Sequence, residues 1–182
     1  IMAAYNSEKT IKMAIESVLK QTYTNFELLV INDCSTDNTE KIVCEIIRRD
    51  SRVRLLRNEK RGGVSVARKH GLAEVKGEWI AILDSDDAWA EEKLEKQIVL
   101  QRKTNAELLF TGSAFMDSEG LPIHWYLHVP TEVTYKQLLK QNILSNSSAL
   151  VRKELYEKYY AIGDNMHEDF AIWLGILNEG RK

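Results

Sequence analysis

Three carboxylates, Asp84, Asp86 and Asp87, fall within four positions of the stretch ILDSDDAW at residues 82–89. An apolar run leads straight into them, so they crowd together where a buried strand is expected to end. Like charges this close repel unless a cation lies between them. Hard oxygen ligands suit Mg²⁺ or Mn²⁺, ions that take one or two protein carboxylates and complete their shells with water and substrate phosphate oxygens. The EF-hand is excluded, because no glycine and no glutamate stand at its required offsets. The alternative is a solvated turn in which one aspartate caps a helix expected over residues 91–103. A second acidic pair, Glu168 and Asp169, opens a helical stretch whose apolar residues Phe170, Trp173, Leu174 and Leu177 recur at i, i+3, i+4 and i+7. On residue types alone, that pair is a helix start stabilised by the macrodipole.

The stretch RGGVSVARKHG at residues 61–71 offers Gly62 and Gly63 for close approach of backbone to a ligand. It matches neither the Walker A nor the dinucleotide GxGxxG spacing. Arg68 either reaches a ligand from the helix that follows or is a solvated surface charge.

Positioning these groups requires strands and helices in alternation, and the chain supplies them. Buried-type strands are expected at residues 26–31, 53–56, 79–83 and 108–111. Helical faces run through Ile11, Ile15, Val18 and Leu19, and through Ile42, Val43, Ile46 and Ile47, the latter opened by Asp37 and Glu40 in capping-box spacing. The pattern predicts an α/β fold, a Rossmann-like, mostly parallel sheet flanked by helices on both faces. Ligands in such folds bind at the carboxyl ends of the strands. The segments there, AAYNS, NDCSTDNT, RNEKRGG and DSDDAW, are expected to converge on one rim. Beyond residue 111 a hairpin or loop carries Trp125, Tyr126, His124 and His128. It is followed by a helix near 134–141, a strand near 147–151 and a helix from Glu168, just after His167.

The 182 residues suit one domain; 44% are hydrophobic and 29% charged, as in soluble globular proteins. With a formal net charge of -2, no global positive field recruits nucleic acid. No apolar run reaches the length of a membrane span, and no signal peptide is visible. Cys34 and Cys44 lack zinc spacing and are too few for a disulfide framework, which suits reduced thiols in a cytoplasmic protein. Ile1-Met2-Ala3-Ala4 reads as the tail of a buried strand, and the chain stops just after a helix. The expectation is a single domain trimmed at both ends.

Residues 2–39, residues 61–89 and the late HEDFAIWLGIL (167–177) together resemble, in order, the motifs of family 2 glycosyltransferases with the GT-A fold. The aspartate motif alone is weak; the ordered set is specific. The resemblance implies a nucleotide-binding half at about 1–110 and an acceptor-side half at about 111–182. It places Ala4, Tyr5 and Asn6 around the nucleobase, although Tyr5 is equally a packing residue. It gives Asp33 to uracil, whose ring N–H a carboxylate can accept, against an Asx-turn role. Arg68, Asp84 and Ser85 are implied as further nucleotide contacts, with Asp84 at the ribose. Asp86 and Asp87 are implied as metal residues; spacing does not fix which binds the ion. Lys69 and His70 depart from the Asn-Xaa-Gly that many relatives carry.

In the family the aspartate matching Asp169 is the catalytic base, with Glu168 beside it. The implied reaction is a single displacement with inversion, moving a sugar from a nucleotide-sugar donor, expected to be UDP-linked, to a hydroxyl of a saccharide or lipid-linked saccharide. Surface polysaccharide or lipid-linked oligosaccharide synthesis would put the enzyme at the inner membrane face, peripherally. Trp125 and Tyr126 are candidates for a sugar-stacking platform, and Asn146, Ser147 and Ser148 for lining the donor sugar. Two rival readings are a nucleotide-sugar-binding domain without turnover and a metal-dependent phosphoryl-transfer enzyme with a strand-end aspartate as nucleophile.

Overall fold

The computed structural model describes residues 1–117, 120–160 and 168–180. Strands β1 (Met2–Ala4), β2 (Leu28–Asn32) and β3 (Val53–Arg57) pair in parallel with β2 between the other two. Every residue of β2 is buried, and its side chains divide between two apolar layers. Leu29 and Ile31 pack with Ala67 and Leu72 of α3 (Gly63–Ala73). Leu28 and Val30 pack with Ile11, Ile15 and Val18 of α1 (Ile11–Leu19) and with Val43 and Ile46 of α2 (Thr39–Ile47). This period of two, apolar on both sides, is what a sheet covered by helices on both faces demands. The approach of α3 to β2 is close: a Cβ on Gly71 would stand 2.7 Å from Ile31 Cδ1.

Strand β4 (Trp79–Ala81) continues the sheet beside β1. Ile1 N donates to Ala81 O at 2.8 Å and Leu83 N to Ile1 O at 3.1 Å, the pattern of a parallel pair. Beyond it, β8 (Leu150–Arg152) runs antiparallel to both β4 and β5 (Leu108–Leu109). The sheet is therefore mostly parallel, with β8 the antiparallel member. Where a hairpin or loop is expected, β6 (Ser113–Met116) and β7 (Pro122–Leu127) pair antiparallel.

Several local expectations are corrected. The strand predicted from 147 begins at Leu150, because Asn146–Ser148 is a 3-10 turn in which Ser148 Oγ donates to Ser145 O at 2.6 Å. No capping box opens α2. Asp37 accepts from the backbone of Thr39 and Glu8, while Glu40 is drawn away by Asn32 and Arg57. The box occurs at α5 (Tyr135–Leu138), between Thr134 and Gln137. Helix α4 spans Lys93–Thr104, and α6 (Lys153–Tyr159) is too short to show a helical period. In α7 (Glu168–Asn178) the deepest residues are Ile172, Trp173 and Ile176, not the Phe170/Leu174 side of the expected stripe, since the helix is apolar nearly all round. Among the described residues, no helix is long and apolar enough to cross a membrane.

Candidate functional site

The loops at the carboxyl ends of β1 to β4 do meet on one rim, and side-chain hydrogen bonds cross between them. After β1, Asn6 takes a left-handed backbone (φ 49°) and its Oδ1 accepts from Thr36 N at 2.8 Å, tying the β1 loop to the β2 loop. Ala4 is buried, and its carbonyl accepts from Asp33 N at 2.9 Å. Ser7 N donates to Thr39 Oγ1 at 2.7 Å, and the hydroxyls of Ser7 and Ser85 are 2.8 Å apart, which joins the β1 and β4 loops. Tyr5 is exposed, with the Arg61 guanidinium 3.9 Å over its ring centroid. One face of that ring therefore already carries a cation.

Asp33 is only 3% exposed, and its carboxylate is heavily engaged. It accepts from Asn58 Nδ2 at 2.7 Å, Gly62 N at 3.0 Å and Gly63 N at 2.8 Å. Gly63, at φ 82°, has a backbone that other residues rarely adopt, so Asp33 fixes the glycine turn that starts α3. Asn58 Oδ1 in turn lies 2.7 Å from His70 Nδ1. Because a carboxylate only accepts, Asn58 must present its amide to Asp33 and its oxygen to His70, so His70 carries its proton on Nδ1. His70 and Asn58 were not singled out as site residues from the sequence; the position of Asn58 right after β3, on the rim, was the available signal.

Arg68 is not a solvated surface charge. It is 6% exposed, donating to Asp84 Oδ1 at 2.5 Å and to Glu168 Oε1. Burial alone would lower its pKa, but the Asp84 and Glu168 carboxylates more than offset this and hold the guanidinium charged. Asp84 thereby joins the first residue of α7 through one side chain. Asp169, half-buried beside Glu168, accepts from Phe170 N at 2.8 Å. Arg68 thus couples the strand-end Asp84 to the acidic start of α7.

Within the acidic turn each carboxylate has a different environment. Asp87 accepts from Ser147 Oγ at 2.6 Å, and Ser147 Oγ also accepts from Asp84 N at 3.1 Å. Burial pushes the Asp87 carboxyl above its usual range; the Ser147 bond opposes this, and the charges of Asp84 and Asp86 add to it. Asp86 is exposed, and among the described residues no hydrogen bond or ion pair engages it. No group of three or more His, Cys, Asp or Glu side chains among the described residues could enclose a metal. The exposed Asp86 carboxylate is a hard oxygen donor of the kind that Mg²⁺ or Mn²⁺ takes one or two of, beside water and ligand oxygens. His124 is exposed on β7 and His128 lies 6.4 Å from the Tyr126 ring, away from this turn's hydrogen bonds; His167 lies outside the described residues. Trp125 is 66% exposed and stacked on Phe115 at 4.6 Å. A cavity of about 720 Å³ lies at the opposite, amino-terminal ends of the strands, among Phe26, Leu28, Trp79 and Ile80.

Behind the acidic turn, Trp89 Nε1 donates to Ser147 O at 2.7 Å, and Lys93 is buried with its Nζ 4.2 Å over the Trp89 ring. Burial lowers the Lys93 pKa from 10.5 to about 7. The folded state then binds fewer protons than the unfolded chain between about pH 7 and 10.5, so stability rises with pH across that window and the cost of the buried charge is complete below it. Lys93→Met is expected to stabilise by about 1 kcal/mol or more at pH 6, because it removes a buried charge whose hydrogen-bond partner is the neutral Gln97 Oε1 at 2.9 Å. Thermal melts of both proteins at pH 6 and pH 9 should show the difference shrinking at the higher pH; an equal difference at both would remove Lys93 as its source.

A family model described as glycosyl transferase family 2 matches residues 1–160. The Escherichia coli protein described as UDP-Glc:alpha-D-GlcNAc-diphosphoundecaprenol beta-1,3-glucosyltransferase WfgD is 37% identical over 179 residues, covering 98% of this chain and 69% of that protein. S. aureus TarS, solved with UDP, superposes with a TM-score of 0.78 at 28% identity, over 96% of this chain and 54% of that one. TarS solved with UDP-GlcNAc gives 0.79 at 27% identity, over 97% and 52%. The mannosyltransferase PcManGT from Pyrobaculum calidifontis, in complex with GDP-Man and Mn²⁺, shares the fold at 17% identity, with a TM-score of 0.69 over 93% of this chain and 48% of that one. The chain thus spans little more than half of these two TarS 1-349 chains, and somewhat over two thirds of WfgD.

Proposed function

Since the chain belongs to glycosyltransferase family 2 and has the GT-A fold, we propose that it transfers a sugar, with inversion, from a UDP-sugar to a hydroxyl of a saccharide or lipid-linked saccharide. The observation that carries this reading is the double ion pair by which Arg68 ties the donor-side Asp84 to the helix that begins Glu168-Asp169. UDP as the carrier is supported by the TarS complexes with UDP and UDP-GlcNAc. A lipid-linked acceptor is suggested by the name of WfgD, and peripheral work at the inner membrane face belongs to the same proposal.

In this reading residues 1–110 form the donor half, with Ala4, Tyr5 and Asn6 around the base. Asp33 meets the uracil edge while holding the Gly62–Gly63 turn. Asp84 and Ser85 lie at the ribose and diphosphate side. Asp86, with Asp87 beside it, holds Mg²⁺ or Mn²⁺, which when bound supplies charge neutralisation for the diphosphate. Asp169 takes the proton from the acceptor hydroxyl as that oxygen forms its bond to the anomeric carbon; the bond to the phosphate oxygen breaks, and UDP leaves with the electron pair. Glu168 orients this helix start. Residues 111–182 form the acceptor side, where the Trp125–Phe115 stack offers a flat apolar face to a sugar ring.

Calorimetric titration with UDP and GDP in the presence of Mn²⁺ tests the donor half. UDP is expected to bind at least about tenfold more tightly, a difference of about 1.4 kcal/mol. Equal affinities would sink the uracil assignment of Asp33. Incubation with UDP-glucose and UDP-GlcNAc, followed by NMR of the product anomer, then separates an inverting transferase from a domain that binds without turnover.

A further inference from the structure

We infer that the β6–β7 ribbon seats the rim of the sheet on a lipid bilayer, through apolar side chains that enter the headgroup zone and without attraction between charges. The inference deepens the glycosyltransferase reading above, on whose lipid-linked acceptor its purpose rests. Its physical part stands apart from that reading.

Strand β8 is antiparallel to both β4 and β5, so β5 runs the same way as β4 and its carboxyl end shares the rim with Asp84. The ribbon starts from that end. Its base is tight, since a Cβ on Gly112 would stand 2.7 Å from Leu127 O. Its turn reaches the first turn of α1, where a Cβ on Gly120 would stand 3.3 Å from Met13 Sδ. Because α1 follows the β1 loop, the ribbon lies along the rim. All six residues of β7 are nevertheless exposed. Successive side chains of a strand point to opposite faces, so neither face of the ribbon packs on the domain. Among the described residues, most of the large apolar side chains that stand exposed gather here: Phe115, Leu121, Ile123, Trp125, Tyr126 and Leu127. Such a concentration on a water-facing surface marks an interaction site.

The shape and charge of the ribbon select the occupant. A sugar ring stacked on Trp125, or a packed helix, covers one face and leaves the other in water. The boundary between headgroups and acyl chains takes both faces at once, and Trp and Tyr favour that depth. The sequence has no lysine or arginine between Lys103 and Lys136. The described residues of the ribbon include one acid, Asp117, whose Oδ1 accepts from Leu121 N at 2.9 Å. Anionic lipid therefore adds nothing here, and the attraction comes from buried apolar area. Depth is limited, because each strand of a two-stranded sheet has a free edge whose N–H and C=O groups hydrocarbon cannot satisfy. Side chains enter while the backbone stays among the headgroups. A rim seated in this way meets the hydroxyl of a lipid-linked saccharide at the bilayer surface.

The test is co-sedimentation of the chain with phosphatidylcholine vesicles, repeated with phosphatidylglycerol added and at low and high salt, for wild type and Leu121→Ser/Ile123→Ser. Wild type is expected to partition onto phosphatidylcholine, with less than about a twofold change on adding phosphatidylglycerol or salt. The double variant should partition at least about tenfold more weakly, because two apolar side chains no longer leave water. Its UDP affinity and melting temperature should match wild type, since both positions are exposed. Bromine-labelled phosphatidylcholine should quench tryptophan emission in wild type and not in Trp125→Phe. No partition of wild type, equal partition of the double variant, or partition that needs phosphatidylglycerol and vanishes at high salt would each overturn the inference. Trp125 emission that responds to chitotriose and not to vesicles would overturn it in favour of a saccharide site. If the chain transfers no sugar from any UDP-sugar, the function assigned above fails, while partition measured without substrate still decides what the ribbon binds.

Discussion

Asp169→Asn is expected to lower kcat by about 10²- to 10⁴-fold, the range a positioned general base contributes, while UDP affinity stays close to wild type. The substitution is conservative for the fold. Asp169 Oδ1 accepts from Phe170 N at 2.8 Å, and an asparagine carbonyl can accept the same bond, so the first turn of α7 keeps its geometry. What is lost is the charge and the capacity to take a proton. Glu168→Gln makes the useful contrast: it loosens a buried ion pair and is expected to cost stability first, with activity falling through the position of α7. Single-turnover rates with a saturating UDP-sugar read the chemical step directly. A wild-type rate in Asp169→Asn would move the proton-accepting role to another group in the cleft.

The sequence showed the strand-end loops well because their signal is strong: fully apolar runs such as LLVI and WIAIL can sit only in a sheet buried on both faces, and the polar residues that follow must lie at its rim. The two apolar layers around β2 are the physical outcome of that pattern. The chain direction of β8 was not legible, because an apolar strand of three residues reads the same in either direction. Nor was the capping of α2. Glu40 has the spacing for a capping box, but Arg57 and Asn32 from neighbouring strands compete for its carboxylate and win.

Within the site, residue types were legible and partners were not. Arg68 reads as either a ligand contact or a surface charge; the structure removes the second, since two carboxylates far away in sequence pair with it in the interior. Asp33 was assigned to a base edge, and the structure adds a second task, since it also caps the glycine turn through backbone N–H groups that leave no trace in side-chain identity. His70, without meaning in the sequence, gains one from Asn58, whose amide is oriented by Asp33. Each of these partners is reached by a long-range hydrogen bond, the class of contact that local spacing does not encode.

Asp86→Ala is expected to abolish the metal-dependent part of UDP binding, leaving the affinity that the wild-type chain shows for UDP in chelator. The three aspartates of the turn are chemically alike but differ in what the fold has already claimed. Asp84 is spent on Arg68 and Asp87 on Ser147, whereas Asp86 is exposed and, among the described residues, uncommitted. Removing it should therefore leave the melting temperature unchanged, because no protein contact is lost. Asp87→Ala should behave differently. It releases Ser147, which also receives Asp84 N and whose carbonyl holds Trp89, so the turn loosens and stability falls by about 1 kcal/mol. The two substitutions thus separate a ligand role from a scaffold role by comparing UDP titrations in Mn²⁺ and in chelator with thermal melts. Metal-dependent binding that survives in Asp86→Ala but disappears in Asp87→Ala would transfer the ion to Asp87. The Ser147 bond would then be a second contact that aims its carboxylate, the arrangement by which ligating carboxylates are commonly held.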